Sequence, residues 1–118
     1  MDERIELLRK AGVINEKIAV YVQAVAEELK KLYPVKREGV EMLISHLAMA
    51  YQRAREEKEV EELSEQLWEE LQGCCRYQEA ERLCRQLLKE GPYILAQSEK
   101  QYVLLHLCNL LQQEDEKH

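Results

Sequence analysis

The chain has 118 residues, of which 46% are hydrophobic, and this composition is typical of one compact domain with a single core. Its 17 basic and 23 acidic residues give a formal net charge of −6, and the basic residues form no long block. Unaided nucleic-acid binding is therefore not expected, because the phosphate backbone would mostly repel the chain. We expect a single domain over residues 1–118, with its core at roughly 14–112.

Apolar residues recur with a period close to that of an α-helix, and the alternation typical of strands is absent. After a short amphipathic lead-in, Asn15 is a suitable N-cap for a first long helix that ends at Tyr33-Pro34, since proline cannot continue a helix. A second helix is expected to begin near Glu38-Gly39 and to end in the charged residues 53–59. The inward-facing residues of these two helices should be Ile18, Val22, Val25, Ala26, Leu29, Leu32, Val40, Leu43, Ile44, Leu47, Ala50 and Tyr51.

Three shorter amphipathic segments follow. The third helix is predicted from about Val60 to Gly73, and the fourth from about Tyr77 to Gly91-Pro92. The fifth should open with Ser98 as its cap, while Gln101 reaches back as in a capping box. The short connections predict an all-α fold, a single bundle of five helices with mostly antiparallel neighbours. The predicted inward-facing residues are Leu63, Leu67, Trp68, Leu71, Ala80, Leu83, Cys84, Leu87, Leu88, Val103, Leu104, Leu107, Leu110 and Leu111.

The sequence contains no recognisable membrane segment, metal site or catalytic motif. The charged start of the chain lacks the apolar core of a signal peptide, and no apolar run approaches the roughly 18 residues that span a bilayer, so we expect a cytoplasmic protein without membrane insertion. The cysteines have no regular spacing, and we interpret them as apolar fillers rather than zinc ligands or a redox pair. No cofactor and no enzymatic activity are expected. The four cysteines are Cys74, Cys75, Cys84 and Cys108.

Two histidines, His46 and His106, lie in the two most apolar helical stretches. A helical projection places each imidazole roughly 110° from the centre of its apolar stripe, so both rings should sit at the boundary between core and solvent. Imidazole changes charge or acts as a nucleophile near neutral pH, which makes these rings the best functional candidates. The plainer alternative is that each ring only forms a hydrogen bond with a nearby backbone carbonyl.

Two segments around these histidines resemble the motifs of a known family, the PTS regulation domain. Residues 45–53, Ser-His-Leu-Ala-Met-Ala-Tyr-Gln-Arg, resemble its first histidine motif, in which His-Ile or His-Leu is followed by small and apolar residues and then by arginine. Residues 99–107, Glu-Lys-Gln-Tyr-Val-Leu-Leu-His-Leu, resemble its second motif, Glu-x-x-Tyr-x-x-Leu-His-Ile/Leu. The order of the motifs, their separation of 60 residues and the two amphipathic helices between them fit the family, so the resemblance covers nearly the whole chain.

The resemblance implies a five-helix bundle, often homodimeric, that serves the bacterial phosphoenolpyruvate:sugar phosphotransferase system. In such proteins the histidines, here His46 and His106, receive phosphoryl groups from the phosphocarrier HPr or from sugar-specific enzyme IIB components. By the match of the motifs, Arg53, Glu99 and Tyr102 are supporting residues. In family members the modification shifts dimer packing and so switches attached antiterminator or activator domains.

This chain departs from the family pattern at several points. Ser45 stands where many members have an acidic residue before the first histidine, and the chain carries one such domain where regulators commonly carry two. Because no segment corresponds to an RNA-binding or DNA-binding domain, the chain would influence transcription only through another protein. The main alternative is a helical adaptor or dimerisation protein whose histidines are structural, and a small metal-dependent enzyme is a third.

Overall fold

The computed structural model describes residues 2–34 and 37–116, with side chains as far as Gln112, and these residues form six α-helices and no strand. The prediction of an all-α fold is confirmed. The structure has six helices where the sequence predicts five, because the lead-in forms a helix of its own. The helices are α1 (Glu3–Lys10), α2 (Glu16–Leu32), α3 (Arg37–Arg55), α4 (Glu65–Gln72), α5 (Tyr77–Lys89) and α6 (Gln97–Glu116).

Helix α1 is short but has the signals that start and stop a helix. The Asp2 side chain accepts a hydrogen bond from the Arg4 backbone N–H at 2.9 Å, which caps the first turn. Acidic residues lie in this first turn and basic residues in the last, an arrangement that complements the helix dipole. Ile5 is buried, so this helix packs against the core rather than projecting from it.

Helix α3 lies between α2 and α6 and runs antiparallel to both. Near the start of α2, the Tyr21 ring meets the Tyr51 ring near the end of α3, with 5.1 Å between their centroids. On the other side of α3, His46 lies beside His106 of α6, and Arg53, later in α3, bonds Glu99, which is earlier in α6. The core lies between these helices, and burial of each large aliphatic side chain there contributes about 1.5–3 kcal/mol. Its fully buried members include Ile18, Leu29, Leu43, Leu47, Leu107, Leu110 and Leu111.

The first long helix begins where the sequence predicts. The Asn15 side chain accepts a hydrogen bond from the Ile18 backbone N–H at 2.9 Å and donates one to the Tyr93 hydroxyl, also at 2.9 Å. The prediction of Asn15 as an N-cap is therefore confirmed. The helix ends at Leu32, immediately before Tyr33-Pro34, also as predicted. Leu32 itself is exposed, so its predicted place in the apolar stripe is wrong.

The predicted starts of the third and fifth helices are both wrong. Gln101 does not reach back to cap its own helix, because its side-chain oxygen accepts a hydrogen bond from the Leu63 backbone N–H at 3.0 Å. This bond ties the segment before Ser64 to α6. Helix α4 starts at Glu65, not near Val60, and Ser64 caps it by accepting a hydrogen bond from the Leu67 backbone N–H at 3.2 Å. Helix α6 starts at Gln97, so Ser98 lies inside its first turn rather than at its cap.

Two further features of the described residues bear on the predictions. Leu67 of α4 is exposed, because this two-turn helix buries only Leu71, whereas the sequence predicts both residues inward. None of the helices in residues 2–34 and 37–116 has the length and apolar character needed to cross a bilayer.

Candidate functional site

The contact between α3 and α6 brings together all five residues that the sequence analysis singled out. His46 and Arg53 are seven residues apart on α3, while Glu99, Tyr102 and His106 are spaced by three and four residues on α6. Such spacings place side chains in a row along one side of a helix. Because α3 and α6 are antiparallel, the row on one helix faces the row on the other.

The two candidate histidines face each other across this contact. The centroids of the His46 and His106 rings are 4.8 Å apart, and the ring planes are inclined by 42°. The Tyr102 ring lies on the same cluster, with its centroid 5.8 Å from that of His46. A protein surface that approaches one imidazole therefore also approaches the other.

Next to the rings, Arg53 and Glu99 form an ion pair with two hydrogen bonds. Arg53 Nε donates to Glu99 Oε2 at 2.6 Å, and Arg53 Nη2 donates to Glu99 Oε1 at 2.9 Å. Glu99 is only 1% exposed, whereas 25% of the Arg53 side chain is exposed. A carboxylate so deeply buried requires a charged partner, and the planar guanidinium provides one with matching geometry. The sequence analysis named both residues as supporting but did not pair them.

The environment keeps the His46 ring neutral. Burial lowers the pKa of His46 to about 4, the neighbouring His106 and Arg53 act in the same direction, and Glu99 opposes them. The His46 Nε2 atom is buried, lies 4.0 Å from Glu99 Oε1 and forms no hydrogen bond within the described part of the chain. Burial also lowers the pKa of His106. Both imidazoles are therefore neutral at physiological pH, which is the nucleophilic form.

Both rings are nevertheless partly open to solvent. The His46 side chain is 23% exposed, and His106 is similarly intermediate between core and surface. This agrees with their predicted positions at the edge of the apolar stripes. Residues on the core side hold the rings, and the exposed edges are what another molecule can reach.

One residue near the site was missed by the sequence analysis. Arg4 of α1 donates a hydrogen bond from Nη1 to the Ser45 hydroxyl at 3.0 Å, one residue before His46. Its position in the chain gave no signal, because 41 residues separate the two partners. Arg4 thus brings a second guanidinium to the segment that carries the first histidine, where many members of the resembled family have an acidic residue.

Other candidate groups lie outside this cluster. In the described ranges, no group of three or more histidine, cysteine, aspartate or glutamate side chains is arranged to hold a metal ion. Cys84 and Cys108 are buried, as expected of apolar fillers, and Cys74 is partly buried. Cys75 is exposed, so the same interpretation is wrong for this residue.

Comparison with known proteins identifies a relative along nearly the whole chain. The uncharacterized protein YhfY of Escherichia coli (strain K12) is 33% identical over 112 residues, which cover 93% of this chain and 93% of that protein. The chain therefore belongs to the same family as YhfY. No protein-family model matches the chain, and no solved structure matches it.

Proposed function

We propose that this chain is a free-standing PTS regulation domain, a regulatory module that accepts phosphoryl groups on His46, His106 or both. Its donors in the cytoplasm are HPr and sugar-specific enzyme IIB components. The modification changes contacts in a homodimer or with a partner, and so regulates the transcription of sugar-utilisation genes through another protein. In this proposal α2 to α6 correspond to the five helices of the family, and α1 is an addition.

The observation that carries the proposal is the distance between the two rings. Two separate motifs, 60 residues apart in the sequence, present imidazoles whose centroids are 4.8 Å apart and which both have an exposed edge. The other motif residues, Arg53, Glu99 and Tyr102, surround the same pair. A purely structural role for each histidine gives no reason for this convergence of both motifs.

The chemistry requires little more than a positioned neutral ring. The lone pair of an unprotonated ring nitrogen attacks the phosphorus of a donor phosphohistidine, and a new N–P bond forms as the donor N–P bond breaks. The acceptor ring loses the N–H proton of its other nitrogen, and the donor ring takes up one proton and leaves as neutral imidazole, so the protons balance and no oxidation or reduction occurs. Because the lowered pKa values keep His46 and His106 unprotonated, no additional base is needed to prepare them.

The charge of the phosphoryl group would change the contact between α3 and α6. Phosphorylation adds nearly two negative charges at the ring, and the nearest carboxylate oxygen, Glu99 Oε1, is only 4.0 Å from His46 Nε2. The adjacent guanidinium, Arg53, already forms two hydrogen bonds with that carboxylate. The phosphoryl group and Glu99 therefore compete for Arg53, and the contact between α3 and α6 must adjust.

The test is to incubate the purified chain with phosphoenolpyruvate, enzyme I, HPr and a cognate enzyme IIB and to measure its intact mass. We expect acid-labile phosphoryl addition that disappears in the His46→Ala, His106→Ala double variant and persists in Tyr77→Phe, a matched aromatic change at the start of α5, outside the contact between α3 and α6. The single histidine variants then assign the acceptor for each donor. Absence of addition with every cognate donor contradicts the proposal.

One observation favours the alternative, a helical adaptor or dimerisation protein with structural histidines. The buried Nε2 of His46 and the low pKa of this ring are also features of a side chain that fills space between two helices. The adaptor predicts no phosphorylation from any donor, and partner binding that is unchanged in His46→Gln and His106→Gln. The mass measurement therefore separates the two functions.

A further inference from the structure

A groove of about 750 Å³ lies on another side of the molecule, bordered by α4, α5, the start of α6 and the segment 91–95. Its volume falls in the range of about 300–1,000 Å³ that is usual for small-molecule sites. Aromatic and aliphatic side chains cover much of its wall, and the Trp68 and Tyr77 rings meet edge to face at 6.3 Å. Ile94 at its border is 91% exposed, so its side chain is available to a ligand in the groove.

The charges around this groove are opposite in sign to the charge of the whole chain. Its lining includes three cationic side chains, Arg85, Lys89 and Lys100, and one carboxylate, Glu81. Glu81 is paired with Arg85, with an N···O distance of 2.8 Å. Neither lysine forms an ion pair with a described carboxylate, so the groove has an excess of positive charge in a chain with a net charge of −6.

An apolar wall beside unpaired cations selects ligands that combine both properties. We infer that the groove binds a small amphipathic carboxylate, whose apolar part lies on Trp68 and Ile94 and whose carboxylate is held by Lys100 and Lys89. A neutral apolar molecule would leave the lysines without a partner, and a cationic one would be repelled. A small inorganic anion would leave the apolar wall exposed to water.

The groove is separate from the paired histidines, and the inference does not rest on the proposed function. Lys100 and Leu104 of α6 line the groove, whereas Glu99, Tyr102 and His106 lie on the side of α6 that faces α3. Residues 100 and 104 are one turn apart and form their own row on the helix. Helix α6 therefore has two different rows of side chains on its two sides.

The chain itself contains the reporter for a binding test. Trp68 is the only tryptophan, so its fluorescence comes from a residue of the groove alone. The protein is titrated with decanoate below its micellar concentration and, in parallel, with 1-decanol and decyltrimethylammonium. We expect a saturable change with decanoate and an affinity at least about tenfold weaker for the other two, the ratio expected from one charge-assisted contact.

Three variants make the test specific. Lys100→Gln should weaken decanoate binding about tenfold, whereas Lys58→Gln, which removes the same charge outside the groove, should leave it unchanged. Ile94→Glu should abolish binding, and because Ile94 is exposed, this variant should fold normally by circular dichroism.

The inference is overturned by an absent or non-saturable change with decanoate, by equal binding of all three probes, or by equal affinities of Lys100→Gln and wild type. It is also overturned if sedimentation shows a dimer that Ile94→Glu dissociates while decanoate fails to bind. In that case the groove is covered by a second copy of the chain.

Discussion

The partly buried imidazole of His46 should make the free energy of unfolding depend on pH between about 4 and 6.5, mostly above the pH at which carboxylates titrate. The pKa of His46 is about 4 in the folded chain and 6.5 in its ordinary state, so between these values the unfolded chain binds the proton more readily. Stability is fully present above about pH 6.5 and is lost as the pH falls toward 4. One pKa unit corresponds to about 1.4 kcal/mol, which gives a loss of about 2 kcal/mol between pH 7 and 5 and about 3 kcal/mol by pH 4.

The titration of carboxylates does not obscure the contribution of His46 between pH 7 and 5. The carboxylates with lowered pKa values, Asp2, Glu6 and Glu56, have ordinary values of 3.8 or 4.5, so the stability that they contribute is lost only below about pH 4.5. Burial also lowers the pKa of His106, which adds to the loss in the same direction. The interval from pH 7 to 5 therefore reports on the histidine pair.

Urea unfolding at pH 7, 6 and 5 measures the effect. We expect the free energy of unfolding of the wild-type chain to fall by about 2 kcal/mol or more over this interval, and His46→Gln to remove most of the fall. His106→Gln should remove only the smaller part. The chemical shift of the His46 Cε1 proton gives the pKa directly, and a value near 6.5, or an unchanged pH dependence in His46→Gln, would refute the reasoning.

Three further predictions concern the same packing. Arg53→Ala should lower the free energy of unfolding by about 3 kcal/mol, because it leaves the buried Glu99 carboxylate without its partner; a double-mutant cycle with Glu99→Ala measures the coupling, and a value near zero contradicts the prediction. Gly91→Ala should cost about 1–3 kcal/mol in urea unfolding, because a Cβ there would overlap the Tyr51 hydroxyl oxygen and lie 2.6 Å from Tyr51 Cζ, whereas Gly73→Ala, whose Cβ would meet only atoms at 3.5 Å, should cost much less. If the proposed function is correct, either ring can accept a phosphoryl group but intact mass should show only one per chain at a time, since two dianions on rings with centroids 4.8 Å apart would repel each other; a doubly modified species in quantity would argue against this.

The long helices were predictable from the sequence because their signals are local, whereas α1 was missed although Asp2 caps it. The spacing of apolar residues and the prolines set the extents of the long helices, and Asn15 caps its helix through a neighbour three residues away. The starts of α4 and α6 were predicted wrongly. Ser64 caps α4 through the Leu67 backbone N–H, a local signal that the sequence analysis did not use. In α6 the Gln101 side chain, which the sequence assigned to a capping box, instead accepts a hydrogen bond from the Leu63 backbone N–H, 38 residues away. The capping box predicted between Ser98 and Gln101 does not form, because the Gln101 side chain is used in this tertiary contact.

The candidate site shows the same division between local and long-range information. The spacing of Glu99, Tyr102 and His106 indicated that they share one side of α6, and the motif resemblance indicated that they belong with the first histidine. Neither source gives the register between α3 and α6. That register decides that Arg53 forms its hydrogen bonds with Glu99, 46 residues away, rather than remaining available beside His46.

Burial is the main cause of the low His46 pKa, and the neighbouring His106 is the next. Of the paired charges beside the ring, the Glu99 carboxylate raises this pKa and the Arg53 guanidinium lowers it, so the two act against each other. An added phosphoryl group would end this balance, because the guanidinium cannot hold both anions with the same geometry. Before modification, the charges of Arg53 and Glu99 are paired beside the ring. A phosphoryl group would add unpaired negative charge between α3 and α6, and this charge would shift the two packed helices relative to each other.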